Sequence, residues 1–208
     1  MTITKQKADW KTPEEILLTL PRFRMSSPER FGLAKAGSQR VILREAPDRG
    51  EPPTLVRIVS QEYQLVQHKQ VLESALIWAQ ENYGITNPSV RSQLLDGGRK
   101  AVFHLDLGDV LQFSPDGFPI HLNLVCSNSV DGHRSLRVEL NWLRLICSNG
   151  MMVGVALGQT RKAHRQGLGL QTAFSGLDEK IEKAKSDEQG LREWTEHQVK
   201  LETIRALV

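Results

Sequence analysis

The sequence contains few of the residues on which disulfide frameworks, metal sites and membrane spans depend. It has only two cysteines, Cys126 and Cys147, which cannot form a four-ligand zinc site and lack the CxxC spacing of a redox motif. No apolar run approaches the ~20 residues that a membrane-spanning helix needs. No GxxxxGK[ST] or GxGxxG phosphate-binding loop occurs either. We therefore predict a protein without a bound metal, a cofactor or a membrane span.

The chain also has few aromatic residues and a small net charge, and both values bear on nucleic-acid binding. Aromatic residues make up 6% of the chain, which limits base stacking. The formal net charge of +3 is too small on its own to indicate a nucleic-acid binder. The 208 residues, 39% of them hydrophobic and 25% charged, are typical of a globular protein with a sizeable core. The first ten residues contain charges and no apolar h-region, so we predict a cytoplasmic protein.

Residues 1–60 carry most of the basic excess and predict an N-terminal basic extension with short helices and strands. Thr12, Pro13 and Glu15 form the pattern of a capping box with proline at the first helical position, which predicts a helix from Pro13. Residues 41–44 and 55–60 have the composition of strands. We expect residues 63–66 to extend the second strand.

A helical period follows directly. Between His68 and Tyr83, apolar residues recur at the spacing of a helix with one buried face. Gly84 followed by Ile85 is a typical end of a helix, because glycine adopts the left-handed conformation without steric cost. We predict a helix over residues 68–83.

Alternating apolar residues then predict antiparallel strands. One pair of strands flanks the turn Asp96-Gly97-Gly98, and either tight turn register keeps Val90 and Phe103 on the same face.

A second pair of strands covers residues 120–126 and 136–142. Even positions must pair with even positions, so the loop between them has an odd number of residues. We predict a three- or five-residue connection with Gly132 in the left-handed conformation, and a bulge after Trp142, where the apolar phase shifts.

The end of the chain predicts a charged amphipathic helix or helix pair over residues 178–208, next to Leu177 and with Ile181, Ala184 and Leu191 on the apolar stripe. Residues 61–177 form the predicted sheet core. The whole pattern predicts an α+β fold: a mainly antiparallel twisted sheet with one inserted helix and a C-terminal helical segment.

Basic residues fall on the polar face of the predicted sheet and in its loops, where they form a candidate track for phosphates. Phosphate contacts dominate affinity for nucleic acids without reading the sequence. We interpret residues 161–165 as a compact basic loop that clamps a strand; the alternative is an ordinary solvated sheet face. The predicted nucleic-acid-binding residues are Arg91, Arg99, Lys100, Arg134, Arg137, Arg161, Lys162 and Arg165.

The sequence evidence for a catalytic site is weaker than the evidence for a phosphate-binding surface. His104 and Asp106 share a face, and His121 lies on a neighbouring predicted strand, which is a pattern that also suits a metal-dependent hydrolase. Histidines and a carboxylate on a sheet are more often surface hydrogen-bonding groups. Cys126 and Cys147 end apolar strands and have the pattern of buried small hydrophobic residues. We predict no catalytic residue.

Four segments carry a resemblance to a known family. They are Gly98-Arg99-Lys100, Ser127 to Val138 with its Asp131-Gly132 turn, Arg144 to Gly150, and Ala163-His164. They resemble the phage- and plasmid-associated family catalogued as domain of unknown function nine-three-two, over roughly residues 63–181. The resemblance implies a mobile-element context and no particular activity. The order of elements is also similar in outline to the Rad fifty-two-like single-strand annealing proteins, a likeness at the level of the fold alone.

The leading hypothesis is a non-enzymatic phage or plasmid protein, oligomeric, that binds single-stranded DNA and assists annealing or recombination. Exposed rings for base stacking would have to come from Tyr63, Phe118 or Trp194, because Phe103 and Trp142 fall in the apolar phase. The alternative is a protein-binding effector that modulates a host defence complex through the 178–208 helix. A metal-dependent hydrolase ranks third.

Overall fold

The protein has two antiparallel sheets and three α-helices in the part of the chain that a computed structural model describes, which is residues 10–32, 38–46, 50–108, 120–145 and 152–196. The helices are α1 (Pro13–Thr19), α2 (His68–Tyr83) and α3 (Leu177–Glu196). The strands are β1 (Phe23–Ser26), β2 (Gln39–Arg44), β3 (Thr54–Ser60), β4 (Ser89–Leu95), β5 (Lys100–Asp106), β6 (Ile120–Ser129), β7 (Leu136–Leu145) and β8 (Met152–Lys162). Strands β1 to β3 form one sheet and β4 to β8 the other, each in chain order. The predicted α+β class with antiparallel strands, an inserted helix and a C-terminal helical segment is confirmed.

The helix boundaries follow local capping chemistry. At the start of α1, the N–H of Thr12 donates to Glu15 Oε2 (2.8 Å) and the N–H of Glu15 donates to Thr12 Oγ1 (3.4 Å), which completes the predicted capping box. Helix α2 has the predicted bounds and ends at Gly84, whose φ of +67° is the expected left-handed stop. Among the described helices, none is both long and apolar enough to cross a membrane.

The five-stranded sheet buries one face and leaves the other open. Val90, Leu105, Leu124 and Leu140 form one row across β4 to β7, and all four are fully buried. Helices α1, α2 and α3 contact this sheet through β4, β6 and β8 respectively. Because neighbouring residues of a strand point to opposite faces, the polar residues between these positions lie on the open face.

The β4–β5 hairpin confirms the predicted faces. Val90 lies opposite Leu105, so Val90 and Phe103 share the buried face. The pair Leu95–Lys100 closes the ladder and leaves residues 96–99 as a four-residue turn with Gly97 and Gly98 at its centre. This register is the one that a tight turn on the two glycines dictates.

The connection between β6 and β7 differs from the prediction of three or five residues. The last pair of this ladder is Ser127 with Arg137, so residues 128–136 lie outside it, an odd number as parity requires. The loop is longer because Asn128 and Ser129 continue to pair with β5 rather than with β7. Gly132 has the predicted left-handed conformation, with φ +70°.

The predicted bulge after Trp142 is wrong. The β6–β7 register continues past Trp142 to the pair Ile120–Arg144. The irregularity lies instead in the β7–β8 ladder, where Leu140 pairs with Gly158 and Asn141 pairs with Ala156. The residue left over is therefore on β8, whose small residues gave no alternating pattern from which a strand was predicted.

The interpretation of residues 161–165 as a basic loop is also wrong in its structure. Arg161 and Lys162 are the last residues of β8, and Arg165 forms an isolated bridge with Tyr63. The segment is therefore held by backbone pairing at both ends, because the edge of β7 accepts β8 along its full length.

Residues 63–66 do not extend β3, contrary to expectation. The chain turns after Ser60, where the N–H of Tyr63 donates to the Ser60 carbonyl (3.1 Å). The segment then crosses between the two sheets, and a small core forms there from Phe23, Ile42, Val59 and Val130. This small core joins the N-terminal sheet to Val130, next to the end of β6, whereas α1 packs on the main core through Ile16.

Candidate functional site

Seven of the eight predicted cationic residues lie at one end of the five-stranded sheet. The 96–99 turn, the 130–135 loop and the end of β8 meet there, because Lys100 lies opposite Ser129 and Arg137 lies opposite Arg161. We call this region the basic end. Its predicted members are Arg99, Lys100, Arg134, Arg137, Arg161, Lys162 and Arg165.

Arg91 and Lys162 depart from the predicted arrangement. Arg91 lies on the open face opposite His104, but on the edge strand β4, far from β8. Lys162 lies opposite Leu136, which is fully buried on the helix-covered face. The open face of the basic end therefore presents Arg137 and Arg161 side by side, whereas Lys162 points to the other side of the sheet.

The cations of the basic end differ in how far they are neutralised. Lys100 forms an ion pair with Asp96, and Arg137 forms one with Glu139. Arg99 Nε donates to the Asp96 carbonyl (2.9 Å). Arg134, Arg161 and Arg165 are exposed and have no carboxylate partner among the described residues. These three guanidinium groups are therefore available to an anion in solution.

A cleft of about 430 Å³ opens between the 130–135 loop and the segment after β8. Its lining residues are Ser60, Glu62, Tyr63, Gly132, His133, Arg134, Ser135, Ala163, His164 and Arg165. Arg57 Nη1 lies 2.6 Å from His133 Nε2 at its edge. The sequence predicted Arg134 and Arg165 here and named Tyr63 as a candidate stacking ring, but it did not predict Arg57, His133 or His164. The only sequence signal for the two histidines was that they belong to the segments carrying the family resemblance.

Tyr63 and His164 form the floor of this cleft. Their rings stack with centroids 5.4 Å apart, and Tyr63 Oη donates to the Val130 carbonyl (3.0 Å). Burial, and next the Asp131 carboxylate, raise the pKa of Tyr63 well above its ordinary value, so this hydroxyl stays protonated. Tyr63 is thus a half-buried ring whose hydroxyl is held by the backbone and one face of which stacks on His164.

His164 is 6% exposed and has one unused ring nitrogen. Its Nδ1 lies 3.3 Å from the Gln64 carbonyl oxygen, which can only accept, so Nδ1 carries the proton. Burial lowers the pKa of His164. Its Nε2 is buried and has no hydrogen-bond partner within the described ranges.

A buried polar network holds the basic end together. Asn128 Nδ2 donates to His68 Nδ1 (3.0 Å) and to the Val66 carbonyl (3.0 Å). His68 Nε2 donates to the Gly98 carbonyl (3.0 Å), so helix α2 is bonded directly to the 96–99 turn. Burial lowers the pKa of His68 to about 4. The neutral histidine therefore couples the helix, the turn and β6.

The residues of the hydrolase hypothesis are only partly brought together. His121 Nδ1 lies 3.5 Å from Asp106 Oδ1. His104 lies opposite Val125, four residues from His121 and thus ~13 Å away along the strand. Burial lowers the pKa of His104, and Arg91 lowers it further. No group of three potential metal ligands occurs among the described residues.

Cys126 and the rings of the apolar phase belong to the covered face of the sheet. Cys126 is fully buried, and burial raises the pKa of its thiol, so it is a core residue without a reactive thiolate. Cys147 and Phe118 lie outside the described residues, as does the side chain of Trp194. Phe103 is fully buried, and Trp142 lies on the same helix-covered face, as their apolar phase predicted.

Comparison with known proteins identifies one family. The family model described as "Domain of unknown function (DUF932)" matches residues 56–208, which include the whole basic end. No curated protein and no solved structure matches the chain. The predicted likeness to the Rad fifty-two-like fold therefore has no support from a solved structure.

Proposed function

The chain belongs to the DUF932 family, and from that premise we propose that it is a cytoplasmic phage or plasmid protein that binds single-stranded DNA and assists annealing or recombination. The family description names no activity, so the proposal depends on the basic end. The observation that supports it most directly is the presence of three exposed arginines, Arg134, Arg161 and Arg165, that no described carboxylate neutralises.

Contacts to the phosphate backbone suit this surface better than base stacking does. Across the open face of the basic end, the residues that register places beside Arg137 and Arg161 are Ser127, Val102 and Gln93, and none of them is aromatic. Binding through guanidinium groups positions a strand without reading its bases. We therefore expect weak sequence preference and strong salt dependence.

The position of the described helices argues against duplex reading by a helix in the major groove. Proteins that read duplex DNA place a helix or a β-ribbon in the major groove. Here the cations lie on strands and loops, while α1, α2 and α3 contact the sheet from its buried side. A homo-oligomer would join several such surfaces into a longer track, as annealing requires.

The second candidate, a protein-binding effector, is favoured by α3. Its residues Asp178, Glu179, Lys180, Glu182 and Lys183 are exposed, so the helix presents a charged surface on which a protein partner could dock. Absence of strand binding at low salt would favour this candidate over the first.

Fluorescence anisotropy with a labelled single strand tests the proposed function. Replacing Arg99 and Arg161 by glutamine is expected to weaken binding about tenfold near 0.1 M salt, and to reduce the slope of log K against log salt by about 1.4. Both side chains are exposed and neither forms an ion pair in the described part of the chain.

The control replaces Lys183 and Lys185 of α3 by glutamine, which removes the same formal charge from a different element; Lys185 pairs with Glu182 (2.8 Å), so this variant also removes one ion pair. It is expected to leave affinity and salt slope nearly unchanged. Equal effects of the two double variants would show that binding follows net charge and would contradict the assignment of the basic end. Light scattering on the same samples gives the oligomeric state.

A further inference from the structure

The cleft of the basic end brings three guanidinium groups together. Arg134 and Arg165 both line it, one from the 130–135 loop and one from the segment after β8. Arg57 adds a third guanidinium group at the edge, where it meets His133. A phosphodiester carries one negative charge, whereas a phosphomonoester carries about 1.5 to 2 near pH 7.

The nearby carboxylates offset part of this charge and leave the cleft with a net positive charge. Glu62 lines the cleft and is exposed. Asp131 is buried, and its carboxylate accepts hydrogen bonds from Ser129 Oγ and from the N–H of His133 (3.1 Å). Burial opposes ionisation of Asp131, but these hydrogen bonds outweigh it and the pKa is lowered. Asp131 thus holds the loop that carries His133 and Arg134, and its charge also acts on the floor of the cleft, where it helps to raise the pKa of Tyr63.

The two histidines add directed hydrogen-bonding groups. A guanidinium group cannot accept a hydrogen bond, so Arg57 donates to His133 Nε2 and the His133 proton sits on Nδ1. His164 lines the cleft, is more than nine-tenths buried and has an unpartnered Nε2. A buried nitrogen without a hydrogen-bond partner destabilises the folded protein. A ligand that shares a proton with Nε2 would remove this penalty.

A phosphomonoester is the phosphate that meets this requirement. Its second pKa is about 6, close to that of an imidazole, so one proton can be shared between a phosphate oxygen and Nε2. An internal phosphodiester has no such proton to donate. An unprotonated His164, which is the form that its lowered pKa favours, would then leave Nε2 without a partner beside a backbone phosphate.

We propose that the cleft between Arg134 and Arg165 binds a phosphomonoester, the terminal phosphate of a DNA strand, with His164 Nε2 sharing a proton with it. This inference rests on the proposed function for the source of the phosphate. It goes beyond that function in assigning the cleft to strand ends, which would place the start of a bound strand at the basic end and its body along the open face.

Strands of one sequence and different ends test the inference. Anisotropy titrations use a strand of about 16 nucleotides with a 5′-phosphate, a 3′-phosphate or hydroxyl groups at both ends, each labelled at the opposite end or internally. One of the phosphorylated strands is expected to bind about tenfold more tightly than the hydroxyl strand, the equivalent of one charge-assisted hydrogen bond. Inorganic phosphate, titrated by calorimetry, is the probe for the group alone.

Variants separate the cleft from the open face. His164→Asn keeps an amide that can donate to the Gln64 carbonyl but removes Nε2, and it is expected to abolish the preference for the phosphorylated strand. His164→Gln places an amide near the position of Nε2 and is expected to restore part of it. Arg134→Gln with Arg165→Gln, both at exposed positions, tests the cleft without touching a buried residue. The Arg99 and Arg161 double variant should weaken all strands equally.

Each outcome separates the two proposals. Tight strand binding with no difference between phosphorylated and hydroxyl ends would overturn the cleft assignment and leave the proposed function intact. Calorimetric binding of inorganic phosphate that His164→Asn removes, without binding of any strand, would support the cleft and overturn the proposed function. A preference that survives both His164→Asn and the double arginine variant would overturn the cleft assignment.

Discussion

Replacing Phe103 by alanine is expected to lower the free energy of unfolding by about 3–5 kcal/mol. Phe103 is fully buried on the covered face of β5, where it lies opposite Ser92 of β4 and Cys126 of β6. Removing the ring loses its transfer free energy and leaves a cavity that rigid flanking strands cannot close. Urea denaturation measures the change.

The neighbouring residue provides the control. Val102 lies one position earlier, on the open face, and is half-buried. Val102→Ala is therefore expected to cost less than about 1 kcal/mol and to leave strand binding intact. Similar losses for the two variants would contradict the assignment of one covered and one open face, on which the whole basic end depends.

Lowering the pH from 7 to 4 is expected to reduce the free energy of unfolding by about 3 kcal/mol through His68 alone. Burial lowers the pKa of His68 to about 4, although the hydrogen bond to the Gly98 carbonyl acts in the other direction. Above the ordinary pKa of about 6.5, the residue is neutral in both states. As the pH falls from there towards 4, the unfolded chain takes up a proton that the folded protein cannot accept, so stability is lost.

His68→Gln isolates this contribution. The glutamine amide can donate to the Gly98 carbonyl in place of His68 Nε2, and it does not titrate. The variant is expected to show a flatter loss of stability between pH 7 and pH 4 in urea titrations. His104 and His164, whose pKa values burial also lowers, contribute to the slope that remains, as do Asp96 and Asp131, whose pKa values are lowered too. An unchanged pH profile would contradict the buried, neutral state of His68.

Local signals in the sequence were sufficient where a segment's structure depends on its own residues. The capping residues Thr12 and Glu15 predicted the observed start of α1, and the apolar period of α2 with the stop at Gly84 predicted both ends of α2. The alternation on both sides of the 96–99 turn predicted the two faces of β4 and β5 correctly. Side-chain parity is a property of the strand itself, so it requires no knowledge of the partner.

Prediction failed where a neighbouring element decides the outcome. Residues 152–162 contain Gly154 and Gly158 and show no alternation, yet they form β8 because the free edge of β7 pairs with them. The β6–β7 loop is longer than predicted because β5 holds Asn128 and Ser129. Bridging of Arg165 to Tyr63, more than a hundred residues away in the chain, likewise could not be read from either segment.

The sequence by itself determined which cations the protein has, the covered and open faces of the β4–β5 and β6–β7 pairs, and the three helices. Only the tertiary structure decided which cations meet. Antiparallel pairing brings the 96–99 turn, the 130–135 loop and the end of β8 to one edge, leaves Arg91 on a distant strand and turns Lys162 to the covered side. It also places His164 beside Tyr63 and leaves its Nε2 without a partner in the described part of the chain. Strand register and long-range contacts determine which of these residues become neighbours, and local residue preferences carry no information about that.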